Sequence, residues 1–449
     1  MPEVVFDRGT VLVRGGAPPP VPGLLWDPRV AAWRAPACLY PQVSGALRAS
    51  GFEFEDRVPG PAAIPQAAGP PLRPYQEEAL GAWEVAGRRG VIALPTGAGK
   101  TVVAIAAIVR GGRAAIVLVP TRVLLAQWVA RLREALPFEP GVIGDGERRV
   151  EPVTVCTFDS AWLHMDSFGD RFGLVVVDEA HHFASGRGEA LETCAAAWRL
   201  GLTGTPPGDD ERSARLAELI GPVVFRMWVR DLSGSHLAPL RRVVRGVELD
   251  PAERAAYESA YGPFVAALRA FARTTPGGTF REFIRAACAS EAGRALVAGR
   301  RAAGRVVSTA AAKLRLLRDL LREHRDERVI AFTADNAAAY AVSRELLVPA
   351  LTCHVSRSER ERLLELFRDG AVRALVSARI LNEGIDVPEA GVGVVTGGSM
   401  GKREHAQRIG RLLRPLPGKT ARLYELFARR TFEDREPARR MRGVLFPEE

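Results

Sequence analysis

An α/β protein of two parallel-sheet domains, with a small N-terminal α+β module and a helical insertion, is the expectation set by three features of the chain. Short apolar runs alternate with helical stretches in two separate blocks, as buried parallel strands with crossover helices do. A segment dominated by Ala, Arg and Glu, with few strand-like runs, parts the two blocks. A stretch rich in Pro, Gly and Ala sets the first residues apart from the rest of the chain. At 449 residues the chain is too long for one ordinary core, which agrees with division into domains.

Residues 1–66 read as a small separate module. Strand-forming residues at 4–6 and 10–13 flank Arg8-Gly9, the pattern of a hairpin. Prolines at 18–22 break the chain, and 41–50 reads as a short helix stopped by Gly51. Residues 58–74 have the composition of a linker. The first α/β block, 67–228, holds apolar runs at 90–94, 114–119, 153–157, 174–177 and 200–203. The second, 229–449, holds runs at 329–332, 374–377, 392–395 and 423–426. Its helical insertion covers about 251–305.

Hydrophobic residues make up 47% and charged residues 25%, the balance of a globular protein rather than a disordered one. The net charge of +10 favours a polyanionic partner but leaves nucleic acid and an anionic surface both open. The basic residues are almost all Arg; the lysines are Lys100, Lys313, Lys402 and Lys419, so each lysine stands out. The cysteines, Cys38, Cys156, Cys194, Cys288 and Cys353, form no CxxC pair and are too dispersed for a zinc or iron–sulfur site. They read as isolated thiols of a reducing compartment. The N-terminus lacks the basic-then-apolar order of a signal peptide, and no apolar run reaches the ~18 residues of a membrane helix. A cytoplasmic protein with no membrane partner is expected.

The strongest local signal is Leu94-Pro95-Thr96-Gly97-Ala98-Gly99-Lys100-Thr101, which comes after an apolar strand and opens an apolar helix. Glycines let the backbone curl so that N–H groups point at phosphate oxygens, and the helix N-terminus adds a favourable dipole. Thr96, Gly97, Ala98 and Gly99 then cradle a triphosphate; Lys100 reaches its β- and γ-phosphates, and the Thr101 hydroxyl binds Mg2+. An acidic pair completes the pattern. Leu174-Val175-Val176-Val177 makes a buried strand, and Asp178-Glu179 emerges at its carboxyl end. Asp178 is expected to hold Mg2+ and Glu179 to orient and polarise the attacking water. His181 and His182 find no matching ligand pair, so they do not read as a metal site.

The order of motifs over residues 72–415 resembles that of superfamily 2 helicases. Leu72-Arg73-Pro74-Tyr75-Gln76 resembles their adenine-reading segment, and the Thr-Gly-x-Gly-Lys-Thr loop is their short form of the phosphate loop. Val119-Pro120-Thr121-Arg122, Thr157-Phe158-Asp159-Ser160 and Leu202-Thr203-Gly204-Thr205-Pro206 are similar to motifs of their first motor domain. Gly384-Ile385-Asp386-Val387-Pro388 and Gln407-Arg408-Ile409-Gly410-Arg411-Leu412-Leu413-Arg414-Pro415 are similar to motifs of their second. Within the superfamily, Phe6-Asp7-Arg8-Gly9-Thr10, the size of the first module and the insertion after Pro251 resemble archaeal and bacterial XPB helicases.

That resemblance implies two RecA-like motor domains, a DNA-damage-recognition-like module and a thumb-like insertion. It implies an ATP hydrolase with ATP and Mg2+ that works 3′-to-5′ on duplex or forked DNA, in repair or duplex opening, with a nuclease partner in prokaryotes. Arg73 and Gln76 are then adenine-side residues, and Gly384 and Asp386 lie on the nucleotide, Asp386 at the ribose. Gln407 orients water, and Arg411 and Arg414, three apart on one helical face, reach the γ-phosphate of an ATP held between the motor domains. Thr121, Arg122, Thr157, Ser160 and Ser377 are the expected phosphate contacts on nucleic acid, since hydroxyls and guanidinium groups grip phosphates without reading sequence. Asp-Glu-Ala-His occurs in DNA and RNA enzymes alike, so an RNA helicase stays open, as do an ATP-driven DNA-binding switch that changes grip rather than unwinds and the motor subunit of a nuclease or phage-defence assembly. One departure is plain. Where XPB proteins carry an Arg-Glu-Asp element, this chain reads Pro207-Gly208-Asp209-Asp210-Glu211-Arg212, so translocation without efficient unwinding also stays open.

Overall fold

A computed structural model describes residues 1–58, 60–183, 188–204, 211–232, 238–378, 390–397, 420–435 and 437. The chain divides into two compact units, Met1–Trp228 and Val229–Glu449.

The first unit holds two sheets. The hairpin at Arg8-Gly9 forms as β1 (Glu3–Asp7) and β2 (Thr10–Arg14), both turn residues having positive φ. β3 (Leu25–Asp27), β4 (Ala32–Pro36) and β5 (Glu55–Asp56) extend it to a five-stranded sheet of order β3-β4-β2-β1-β5, packed on the helix Tyr40–Ala49. This module packs against the larger sheet's part of the unit. Ala195 belongs to its apolar core, and a Cβ on Gly9 would fall 2.7 Å from the Thr193 side chain. The linker is likewise strapped down in part. Ala114 N donates to Ala62 O (2.7 Å), Ile64 N donates to Gly112 O (3.1 Å), and Val58 and Ile64 are buried. Composition reports the lack of periodicity in this stretch, but backbone hydrogen bonds to a distant strand leave no trace in it.

The larger sheet comprises β6 (Arg89–Ala93), β7 (Ala115–Val119), β8 (Gly141–Gly144), β9 (Glu147–Arg149), β10 (Val153–Thr157), β11 (Leu174–Val177), β12 (Trp198–Thr203) and β13 (Val223–Arg226). Their order is β13-β6-β12-β11-β7-β10-β8-β9, parallel except for β9, which folds back on β8. β7, β10 and β11 are buried along their whole length, the reason they read as unbroken apolar runs. Arg199 is a buried cation whose described partners are carbonyls: it donates to the oxygens of Leu191, Cys194, Ala196 and Leu219. Burial pushes its pKa down.

The second unit carries β14 (Leu240–Val247), β15 (Val329–Phe332), β16 (Ala350–Leu351), β17 (Ala374–Ser377), β18 (Val392–Val395) and β19 (Ala421–Ala428) in a parallel sheet of order β14-β19-β18-β15-β17-β16. Between β14 and β15 the expected helical insertion forms as Pro251–Thr274, Phe280–Cys288 and Glu291–Ser308. Asp250 with Glu253 and Thr279 with Glu282 close capping boxes on the first two, each worth about 1 kcal/mol. Tyr257, Phe264 and Phe283 fill the insertion's interior. Among the described residues, no helix is long and apolar enough to cross a membrane.

Candidate active site and the neighbouring cleft

β6, β12 and β11 lie side by side and run parallel, so their carboxyl ends share one rim, the place where α/β sheets bind ligands. β6 leads to the glycine-rich loop, β11 to Asp178-Glu179 and β12 to Thr203-Gly204. Gly97 (φ 88°) and Gly99 (φ 77°) supply the left-handed turns the loop needs. A Cβ on Gly204 would sit 3.2 Å from Thr96 Oγ1 and 3.5 Å from Lys100 Nζ, so the β12 end and the loop are in contact.

The helix Lys100–Gly111 starts directly at Gly99 without a side-chain cap. The helices after β7 and β10 differ. Thr121 caps Arg122–Ala135, accepting from Leu124 N (3.3 Å), and Thr157 caps Phe158–His164, accepting from Ser160 N (3.2 Å). First-turn amides have no acceptor within a helix. In Lys100–Gly111, Val102 N and Val103 N donate to Gly99 O (2.9 and 3.2 Å), and the amides of Lys100 and Thr101 at the helix start are placed for an outside anion, at the positive end of the macrodipole. Lys100 donates to Leu94 O (3.3 Å) and Pro95 O (3.5 Å) of its own loop. These features fit a bound triphosphate.

Arg73 is exposed, whereas Gln76 is buried and its amide is committed. Gln76 Oε1 accepts from Arg73 N (2.9 Å), and Nε2 donates to Ala98 O (2.9 Å), which also accepts from Tyr75 OH (2.8 Å). Gln76 and Tyr75 thus brace the loop's backbone from the preceding helix, a function the sequence reading did not assign to either. A Cβ on Gly99 would fall 2.4 Å from Gln76 Nε2, a second reason for glycine there.

Asp178 is 6% exposed. Its Oδ1 accepts from Glu179 N (2.9 Å) and its Oδ2 from Trp128 Nε1 (2.8 Å). Glu179 sits at φ 48°, a left-handed conformation that costs a non-glycine residue roughly 1–3 kcal/mol and that collects at functional sites. His181 Nδ1 lies 3.0 Å from Thr203 Oγ1 and 3.6 Å from Glu179 Oε2, so the ends of β11 and β12 are joined through an imidazole. Trp128 and the hydrogen bond of His181 escaped the sequence reading. The spacing of Leu125, Trp128, Val129 and Leu132 marks a buried helix face, but not which strand end it meets.

Beside this rim, at the β8–β9 end of the sheet, lies an open cleft of about 420 Å3 lined by Arg122, Asp145, Arg148, Thr157, Ser160 and His164, among others. Its tip is the turn Asp145-Gly146, both residues at positive φ. Arg122 is exposed and pairs with Asp145 at 3.0 Å. Exposed pairs of this kind contribute about 0–1 kcal/mol, so a phosphate can compete for the guanidinium. Thr121 is half-buried and caps its helix. Thr157 is buried, and its hydroxyl both caps the next helix and donates to Ser160 Oγ (2.8 Å), which leaves Ser160 as the hydroxyl facing the cleft.

Ser377 lies at the end of β17, where its side chain is buried and its hydroxyl has no hydrogen-bond partner among the described residues. Gly384, Asp386, Gln407, Arg411 and Arg414 lie outside the described residues, as do positions 205–210.

Three family profiles match. They are described as the Xeroderma pigmentosum group B helicase damage recognition domain (residues 4–58), the type III restriction enzyme res subunit (70–208) and the helicase conserved C-terminal domain (312–415). The chain is 35% identical over 423 residues to the DNA 3′-5′ translocase XPB2 of Sulfurisphaera tokodaii, covering 93% of this chain and 96% of that one. It is 30% identical to the DNA 3′-5′ helicase XPB of Mycobacterium tuberculosis, covering 83% of this chain and 63% of that longer protein. Among solved structures, the Hef helicase domain of Pyrococcus furiosus superposes with a TM-score of 0.53 at 18% identity, over 82% of this chain and 97% of that one, a likeness of fold. A match of this extent to a relative of nearly equal length, with the damage-recognition, first-motor and C-terminal helicase profiles in sequence, shows that the chain belongs to the XPB-type superfamily 2 helicases.

Proposed function

We propose that this enzyme couples ATP hydrolysis at the β6–β12–β11 rim to 3′-to-5′ movement on DNA held in the adjoining cleft. The observation that carries the reading is the uncapped helix Lys100–Gly111, beside Asp178, whose described hydrogen bonds come from neutral donors, in a domain where the helices after β7 and β10 are capped by threonine. Thr96, Gly97, Ala98, Gly99 and the first-turn amides bind the phosphates, and Lys100 turns from its own carbonyls to the β- and γ-phosphates. Thr101 and Asp178 are the residues that would hold Mg2+, which when bound would offset charge on the phosphoryl oxygens. Glu179, aimed by its left-handed backbone, takes the proton of the attacking water. Gln76 and Tyr75 hold the loop in shape while Arg73 flanks the base.

Arg122 and Ser160 grip backbone phosphates in the cleft, and the capped helices behind them keep the grip rigid. Residues 1–66 form the damage-recognition module, 67–228 the ATP-binding motor domain and 229–449 the second motor domain with its thumb-like insertion. Named relatives of both kinds, translocase and helicase, leave the output to be decided. The sequence at Pro207-Gly208-Asp209-Asp210 favours translocation with little strand separation. Turnover measured with duplex DNA, single-stranded DNA and RNA tests the substrate; duplex DNA is expected to stimulate most, and a rate indifferent to all three refutes the motor reading. Triplex displacement without fork unwinding is the expected pair of results for output.

A further inference from the structure

Asp178 is held from an unexpected direction. The indole of Trp128, 1% exposed, donates to its Oδ2 at 2.8 Å, and Trp128 belongs to the helix Arg122–Ala135 rather than to the strands of the rim. That helix begins in the cleft, with Arg122 on its wall and Thr121 as its cap. One turn further, Leu125 packs against the cleft floor, where a Cβ on Gly144 would come within 3.1 Å of its Cδ1. From Arg122 to Trp128 is about 9 Å along a helix at 1.5 Å per residue. A helix of this length moves as a rod, so a displacement at its first turn reaches the indole.

The choice of donor matters. Indole N–H is neutral and has no acceptor capacity, so it fixes the carboxylate's orientation without cancelling its charge. A guanidinium or ammonium in its place would compete with a divalent cation for Asp178.

We propose that Trp128 is a positioning residue: its N–H sets the orientation of Asp178 and ties that carboxylate to the helix walling the cleft, so that polynucleotide bound there tunes the cation site. This rests on the assignment of Asp178 as the Mg2+ carboxylate. Groups that orient a metal ligand typically alter metal affinity or activity by about 10–100-fold when removed.

The test is the Mg2+ dependence of ATP turnover by the full chain at saturating nucleotide, with and without duplex DNA. Trp128→Phe keeps the ring and loses the N–H. Its Mg2+ half-saturation is expected to rise about 10-fold, and its fold-stimulation by DNA to drop even when excess Mg2+ restores the basal rate. Leu132→Ala, which opens the same helix's core without touching Asp178, is expected to lower thermal stability while leaving both quantities unchanged. Trp128→His returns a ring N–H and is expected to recover part of the Mg2+ shift; if Trp128→Phe does not fold, this variant and Leu132→Ala carry the comparison. An unchanged half-saturation in Trp128→Phe, or an equal shift in Leu132→Ala, overturns the proposal and leaves Trp128 as core packing. Asp178→Asn separates the two levels: wild-type turnover in that variant overturns the assignment of the site itself.

Discussion

Each unit ends its parallel strands with a buried carboxylate, and the two are partnered in opposite ways. In the first unit the described partners of Asp178 are an indole N–H and a backbone N–H, both neutral. In the second, Glu433, just beyond β19, accepts from Lys313 Nζ at 2.6 Å, and Lys313 also donates to Thr396 O at the end of β18. Both side chains of that pair are 1% exposed. A carboxylate oriented by neutral donors keeps its charge for an incoming cation. One matched to an ammonium has its charge offset from within, and through Oε2, which accepts from both Lys313 Nζ and Ala428 N, it acts as a clasp between strand ends. Similar residue chemistry near the carboxyl ends of parallel strands therefore suits ligand binding in one sheet and architecture in the other.

Substitutions can break or sharpen that contrast. The largest effect is expected for Lys100→Ala, which should abolish ATP hydrolysis while DNA binding, monitored by fluorescence anisotropy, is largely retained. Turnover at the wild-type rate would place the triphosphate elsewhere. Glu179→Gln, which keeps shape and removes the base, should lower kcat by about 10²–10⁴-fold with the KM for ATP little changed.

On the clasp side, Lys313→Met leaves Glu433 buried without its cation, a change that typically costs about 3–5 kcal/mol. Hydrogen exchange of β18 and β19 amides should quicken accordingly, and Lys313→Met combined with Glu433→Gln should recover most of the loss. A single variant as protected as the wild type would mean the clasp contributes nothing. Smaller again is Arg122→Ala. It should weaken DNA binding for all sequences alike and reduce the slope of log affinity against log salt by about 1; an unchanged slope removes Arg122 from the phosphate contacts. The smallest is Thr121→Ala, which loses a helix cap worth about 1 kcal/mol and should lower the thermal midpoint slightly without altering the salt slope.

Local patterns were enough for much of this protein. The glycine-rich loop, the apolar run ending in Asp178-Glu179 and the capped helices of the insertion each need only neighbouring residues to be recognised, because turns, caps and buried strands are set by short-range sterics and hydrogen bonding. Motif order extended this to the family. Partnership across long sequence separations could not be read the same way. Trp128 meets Asp178 fifty positions away, Lys313 meets Glu433 one hundred and twenty positions away, and the stretch at 62–64 pairs with residues 112–114 just before β7. That Ser377 would be buried at its strand end was likewise not legible from its motif. Which donor reaches which acceptor depends on the order in which strands assemble and on how helices settle across them, and a residue's own neighbourhood in the chain carries no record of that.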